Sequence, residues 1–307
     1  MVGTLAQVSF AVVVAALGVV AYYIRDWRAV LVATSIPSLF SILVFKFIPE
    51  SPRWLAVSGR IQEAEEILYD AARENDAVRV HISLSRAASN RGVQPAPRYG
   101  ITDLFTKSSV RMITVIMLIT WFVNSLVYYG LSLNVKNLGS NIYATFIFSG
   151  LVEIPSYMST VFFLSWFGRR QTLFGFMMSG ALACFACMKL QLLPDRTFFM
   201  ASAAMLGKFC ISGSFAVIYV YAAELYPTVV RNIGMGVATL ASRIGGIASP
   251  FIVLLAEYDK TLPMMVFAGT ALVAGVIGLK LPETKGKSLP ETLEEDQATQ
   301  TSKSIKV

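Results

Sequence analysis

Apolar residues are gathered along this chain into long runs separated by short polar turns and one extended polar loop. A helix rises about 1.5 Å per residue and satisfies its own backbone groups, so crossing a hydrocarbon core of about 30 Å takes roughly 17 to 25 apolar residues. Eight stretches meet that length: Val2 to Tyr22, Ala29 to Ile48, Met112 to Gly130, Ile142 to Phe167, Thr172 to Met188, Thr197 to Tyr221, Ile233 to Leu255 and Leu262 to Leu279. They predict an all-α integral membrane protein with eight transmembrane helices. The first stretch reads as a spanning helix rather than a secretory signal, because no basic residue precedes its apolar run and the run is longer than a signal's apolar core.

The loop from Pro49 to Arg111 is the only sizeable polar region, and it is too small for a catalytic domain. Within it Ile61, Ala64, Ile67, Leu68, Ala71 and Ala72 recur at helical spacing among Glu63, Glu65, Glu66 and Arg73. That period predicts an amphipathic helix following the second span. Ser83 to Pro97 has no apolar period and reads as a flexible linker, and the tail after Pro290 is similarly polar.

Composition agrees with a membrane solvent. Of 307 residues, 55% are hydrophobic and 15% charged, with a mean hydropathy of +0.61, whereas soluble domains carry about a quarter charged residues. Cys184, Cys187 and Cys210 all lie inside apolar spans, and the Cys184/Cys187 pair lacks a second pair to complete a metal site, so the three read as core packing.

Charge orients the helices. With eight spans both termini share one side, and on that side lie Arg53 to Arg111, Arg169, Arg170, Arg231 and the tail from Lys280 to Lys306. These are seventeen basic residues against six on the other side, namely Arg25, Arg28, Lys136, Lys189, Arg196 and Lys260, with Lys46, Lys208 and Arg243 inside spans. The excess predicts cytoplasmic termini. The net charge of +7 then reflects membrane orientation and not nucleic-acid binding.

Two proline-rich exits look equivalent: Pro49-Glu50-Ser51-Pro52-Arg53 after the second span, and Pro282-Glu283-Thr284-Lys285-Gly286 after the eighth. Six spans separate them. Either a six-helix unit is repeated about an axis along the membrane normal, or two unrelated helices end in proline.

Longer motifs make the comparison specific. Ile48-Pro49-Glu50-Ser51-Pro52-Arg53-Trp54-Leu55, the turn Gly168-Arg169-Arg170, Ala223-Glu224-Leu225-Tyr226-Pro227-Thr228-Val229-Val230-Arg231-Asn232, and Leu281-Pro282-Glu283-Thr284 with Leu289-Pro290-Glu291-Thr292 occur in this order. Together they resemble the organic cation, anion and carnitine transporter family of the major facilitator superfamily. The resemblance covers nearly the whole chain as helices five to twelve of a twelve-helix fold. It implies a truncated fold of two plus six helices: 1–48 as the last two helices of one half, 49–111 as a cytoplasmic loop, 112–281 as the complete second half, and 282–307 as a tail. Two departures stand out. Four helices and a large extracellular loop of the family have no counterpart here, and Ser165 stands where family members usually carry an acid.

Glu153, Lys208 and Arg243 each lie roughly 15 Å into a span. An ionised side chain at that depth costs about 2.5 to 3.5 kcal/mol, so it faces a cavity or a partner. One reading is structural pairing of Glu153 with Lys208 or Arg243. One carboxylate cannot neutralise two cations, however, which leaves a positive charge for an anionic group. In the resembling family, cation carriers have an acid and anion and carnitine carriers a base at the position of Arg243. A substrate carboxylate there would make a charge-assisted contact. Trp121, Tyr128, Tyr129, Phe215 and Tyr219 on two cavity-lining helices would hold a quaternary ammonium by cation–π attraction, or serve as packing. Pro155, Gly207, Gly213, Gly245 and Gly246 near these charges permit helix breaks and close packing.

At the cytoplasmic face, Arg169, Arg170, Glu224, Arg231 and Glu283, with Glu50 and Arg53 of the first exit, resemble a charge network that holds transporter halves together; the plain alternative is a topology signal. The expected function is transport of small organic ions by alternating access, first organic cations or carnitine-like zwitterions and second organic anions. A non-transporting form that regulates a full-length carrier is the reading from another class. The apolar spans imply contact with the lipid bilayer, the resemblance implies a plasma-membrane location, and the driving force would be a substrate gradient, the membrane potential or a coupled ion. No cofactor or metal is expected. An enzyme is not expected either, since the single histidine, His81, lies in the linker region without a catalytic partner.

Overall fold

The computed structural model describes residues 2–45, 48–52, 55, 60–75, 99–106, 108–134, 141–193 and 196–287. Lys46, Arg53, His81, the linker from Ser83 to Pro97 and the tail from Pro290 lie outside the described residues. Every regular element among the described residues is helical. In chain order the helices are α1 (Val2–Tyr23), α2 (Trp27–Phe45), α3 (Ile61–Glu74), α4 (Asp103–Thr106), α5 (Ser108–Leu133), α6 (Ile142–Phe167), α7 (Arg169–Gln191), α8 (Thr197–Leu225), α9 (Arg231–Leu254) and α10 (Leu262–Gly278), with a 3-10 turn at Leu255–Glu257.

Each apolar stretch has become a helix, because in hydrocarbon a backbone amide finds a partner only within its own helix. Among the described residues six helices are long and apolar enough to cross a membrane: those of α1 and α5 to α9. Two apolar helices are shorter by the same measure, Trp27–Phe40 within α2 and α10. Local chemistry marks the ends. Asn141 precedes α6, and its side chain accepts from the backbone N–H groups of Tyr143 and Ala144 at 3.1 and 3.2 Å. Polar side chains inside the apolar helices bond back to the preceding turn, as Thr34 and Ser35 do to the carbonyls of Val30 and Leu31. Pro155 interrupts nothing: α6 runs through it unbroken.

The chain packs as two compact units, one of residues 1–24 and 99–307 and the other of residues 25–98. In the second unit, α3 is the amphipathic helix the sequence predicts. Its Ala64 is fully buried, and Arg60 donates to both carboxylate oxygens of Glu63 across its exposed first turn. Glu50, in the same unit, is exposed.

The first unit holds α1 and α4 to α10. α1 packs mainly on α6, α9 on α5, and α7 on both α8 and α10. Its core is built from Ile113, Met117, Trp121, Val127, Met177, Ile211, Val217, Tyr221 and Phe267, and the three free cysteines belong to it. Large apolar side chains on the outward faces remain uncovered, among them Phe162, Trp166, Leu182, Ile247 and Phe251. Water would oppose such a surface, and acyl chains would not.

Candidate functional site

Two close approaches create the site. α9 meets α5 at Gly245, where even a methyl group would overlap the carbonyl oxygen of Phe122. This contact brings one face of α9, carrying Thr239, Ser242 and Arg243, opposite the tyrosines of α5. α6 and α8 are tied by the hydroxyl of Ser156, which donates to the carbonyl of Phe209 at 2.5 Å.

Between these helices and α1 lies a cavity of about 300 Å³, at the lower end of the size of small-molecule pockets. Its wall is aromatic on three sides: Tyr128 and Tyr129 from α5, Tyr157 from α6, and Phe215 with Tyr219 from α8. The rings contact one another edge to face, Tyr128 with Tyr129 at 5.2 Å and with Phe215 at 5.5 Å between centroids. Arg243 supplies the cavity's positive charge, and among the described residues no carboxylate forms an ion pair with it.

Directly behind the wall sits a second arrangement, fully enclosed. Glu153 is 0% and Lys208 3% exposed, and Lys208 Nζ lies 3.1 Å from Glu153 Oε1. The Tyr128 hydroxyl donates to Oε1 at 2.7 Å and the Tyr157 hydroxyl to Oε2 at 3.0 Å. Lys208 also donates to Ser132 Oγ at 2.6 Å and sits 3.2 Å from the centroid of the Tyr128 ring. A buried carboxylate is tolerable only when paired and hydrogen-bonded, and here both oxygens are engaged.

Of the predicted binding residues, the structure thus gathers Arg243, Tyr128, Tyr129, Phe215 and Tyr219 on one cavity. Glu153 and Lys208 form the pair that was one of the two sequence readings, with Lys208 as the partner. Trp121 lies one layer deeper, fully buried, its ring 4.5 Å from that of Tyr219, and its indole Nε1 has no acceptor among the described residues. Sequence reasoning missed Tyr157, Gln7, Thr239, Ser242 and Ser132. Tyr157 was within reach of it, being four residues after Glu153 on one helix face, as Thr239 is four before Arg243.

A separate charged turn joins α7, α8 and the chain after α10. Arg169 donates through Nε and Nη2 to both oxygens of Glu224, each at 2.8 Å. Thr284 Oγ1 donates to Glu224 at 2.5 Å. Glu283 accepts the backbone N–H groups of Arg169 at 2.8 Å and of Arg170, Thr284 and Lys285 at 3.0 Å, which caps the start of α7. Burial pushes the Glu283 carboxyl upward, yet these four N–H donors together hold it below its ordinary value. Gly168 makes the cap possible: its φ of 84° is left-handed, and a Cβ there would stand 2.8 Å from the Glu283 carboxyl. Arg231 stays local, bonded to the carbonyl of Tyr226 and the hydroxyl of Thr228. Ser165, in place of an acid, donates to the carbonyl of Phe162 within its own helix.

Comparison with known proteins gives this geometry a family. A family model described as "Sugar (and other) transporter" matches residues 2–295. The chain is 38% identical to the organic cation transporter protein of Drosophila melanogaster over 285 residues, and 37% identical to the organic cation/carnitine transporter 2 of Homo sapiens over 279 residues. These matches cover 90% of this chain in each case, and 52% and 49% of the relatives, so the chain spans about half the length of the curated relatives it matches. A solved structure of the major facilitator superfamily proton:xylose symporter XylE bound to 6-bromo-6-deoxy-D-glucose superposes with a TM-score of 0.66 at 21% identity, covering 97% of this chain and 66% of the other. The matched relatives are transporters and not enzymes. The resemblance read from the motifs and the all-helical fold, which is that of this major facilitator superfamily structure, therefore agree: the chain belongs to the sugar (and other) transporter family.

Proposed function

We propose that this chain contributes to the transmembrane movement of a small organic ion that carries a carboxylate, with a carnitine-like zwitterion as the leading substrate. The observation behind this reading is Arg243: it faces an aromatic cavity and has no carboxylate partner among the described residues, while Glu153 is committed to Lys208. The ligand carboxylate would sit on the guanidinium, and its ammonium against the faces of Tyr128, Tyr129, Phe215 and Tyr219. An organic anion is the second reading, favoured by the same arginine. A simple organic cation would meet only the aromatic half of the site and be repelled by Arg243.

Transport would proceed by alternating access, one helix bundle rocking against another around this cavity, with a substrate gradient, membrane potential or coupled ion as driving force. All eight apolar helices would span the bilayer, divided as two plus six. The 17-residue α10 is about 25 Å long, sufficient with snorkelling flanks. The excess of basic residues would set both termini in the cytoplasm of a plasma-membrane protein. The Arg169, Glu224 and Glu283 cluster would then lie at the inner face and hold that end of the bundle closed.

The experiment is binding and uptake of labelled L-carnitine, tetraethylammonium and benzoate by the chain in proteoliposomes. L-Carnitine should bind best, and Arg243→Ala should weaken L-carnitine and benzoate while strengthening tetraethylammonium. Preference for tetraethylammonium, unaffected by Arg243→Ala, would overturn the reading.

A further inference from the structure

A carboxylate at the hydroxyl end of tyrosines that line a cavity would normally draw cations into it. Glu153 is in that position, since both tyrosines that bond to it also line the cavity. Its two oxygens take three contacts, all enclosed: Tyr128 and Lys208 on Oε1, and Tyr157 on Oε2.

We infer that Lys208 is a specificity-determining residue: paired with Glu153 behind Tyr128 and Tyr157, it cancels the carboxylate's field at the cavity and leaves Arg243 to decide the sign of the bound ligand. This rests on the reading of the cavity as the ligand site.

The geometry supports it at each step. Lys208 is held on two oxygens, Glu153 Oε1 and Ser132 Oγ, and Ser132 is in turn anchored on the carbonyl of Tyr128. The ammonium also covers one face of the Tyr128 ring. A ligand therefore meets only the remaining aromatic surface of that residue, with no net charge behind it. The hydroxyls of Tyr128 and Tyr157 are spent on Glu153, so these two residues offer rings rather than hydroxyl donors to a ligand carboxylate. What is left in the cavity is an uncharged lining of aromatic rings with Gln7, Thr239 and Ser242, and one guanidinium. In a low-dielectric interior an unbalanced unit charge at such a distance changes ion binding by about tenfold or more.

Neither Glu153 nor Lys208 lines the cavity, so their roles separate from direct contact by a double-variant cycle. The chain in lipid nanodiscs is titrated with tetraethylammonium and with benzoate, and the ratio of the two affinities is the readout. Lys208→Met should move the ratio toward tetraethylammonium by about tenfold, and Glu153→Gln should move it toward benzoate by a similar factor. The double variant, with no unbalanced charge, should return to within about threefold of the wild-type ratio. A merely structural role would lower both affinities together and leave the ratio in place, which would overturn the inference. Should one single variant fail to fold, the other decides: a ratio moved about tenfold in its stated direction supports the inference, and an unmoved ratio overturns it. Binding of neither probe by the wild-type chain would reject the cavity as the ligand site and this inference with it, whereas wild-type binding with unmoved ratios rejects the inference alone.

Discussion

Arg169 and Glu224, 55 positions apart in sequence, meet through two parallel N–H···O contacts that join the start of one long helix to the end of the next. Their side chains are 23% and 18% exposed, so solvent screens the pair only in part. Arg169→Ala leaves Glu224 with the Thr284 hydroxyl as its remaining side-chain partner here. The expected cost is about 1 to 3 kcal/mol of stability, read as a lower unfolding temperature in detergent.

Gly168 and Gly175 make a matched comparison. Gly168→Ala forces a side chain into a left-handed backbone and against the Glu283 carboxyl, and should destabilise by about 1 to 3 kcal/mol. Gly175 lies inside α7 with nothing within 4 Å of an added Cβ. Gly175→Ala should be neutral or stabilising, by up to about 1 kcal/mol. Thermal unfolding of the two variants side by side checks both signs.

The cap of α7 should make stability fall in acid. The folded Glu283 carboxyl is held below its ordinary value, so its contribution is present in full above the unfolded value of about 4.3 and is lost as the pH drops through the folded one. Wild-type melting temperature should therefore decline below about pH 5 more steeply than that of Glu283→Gln. Parallel curves for the two proteins would show that the carboxylate's charge is not what the four N–H groups require.

Arg243→Lys separates charge from shape. Lysine keeps the positive charge but lacks the planar fork, so benzoate affinity should fall by roughly three- to tenfold while tetraethylammonium affinity stays low. Titration of the two variants, Arg243→Lys and Arg243→Ala, orders them: lysine should retain more benzoate binding than alanine.

Helix positions were legible because the bilayer imposes one constraint on every spanning segment, and runs such as Ile142 to Phe167 satisfy it without help from distant residues. The helix α3 was legible for the opposite reason, a clear alternation of Ile67, Leu68 and Ala71 with glutamates. Among the described residues six of the apolar helices meet the length and hydropathy expected of a span, and α10, 17 residues from Leu262 to Gly278, is shorter. The site was legible in part. Depth alone marked Glu153, Lys208 and Arg243 as needing partners, but which cation takes Glu153 depends on the rotation of α8 against α6. That rotation is set by small residues and by Ser156, whose bond to Phe209 spans 53 positions. Tyr157 escaped notice because its hydroxyl matters only once that pairing is known. Arg231 was drawn into the charge cluster by its membrane level, whereas its side chain turns back on its own loop.

The carboxylate that caps α7 arrives from 114 positions later in the chain. During synthesis, α7 therefore forms with its first N–H groups still without this carboxylate, and stays so until α10 has been made and the segment beyond it has turned back. The bundle is locked by nearly its last described residues. A nascent chain stalled before Glu283 would hold its helices in the membrane yet lack the clasp, and would be the form most open to extraction and degradation.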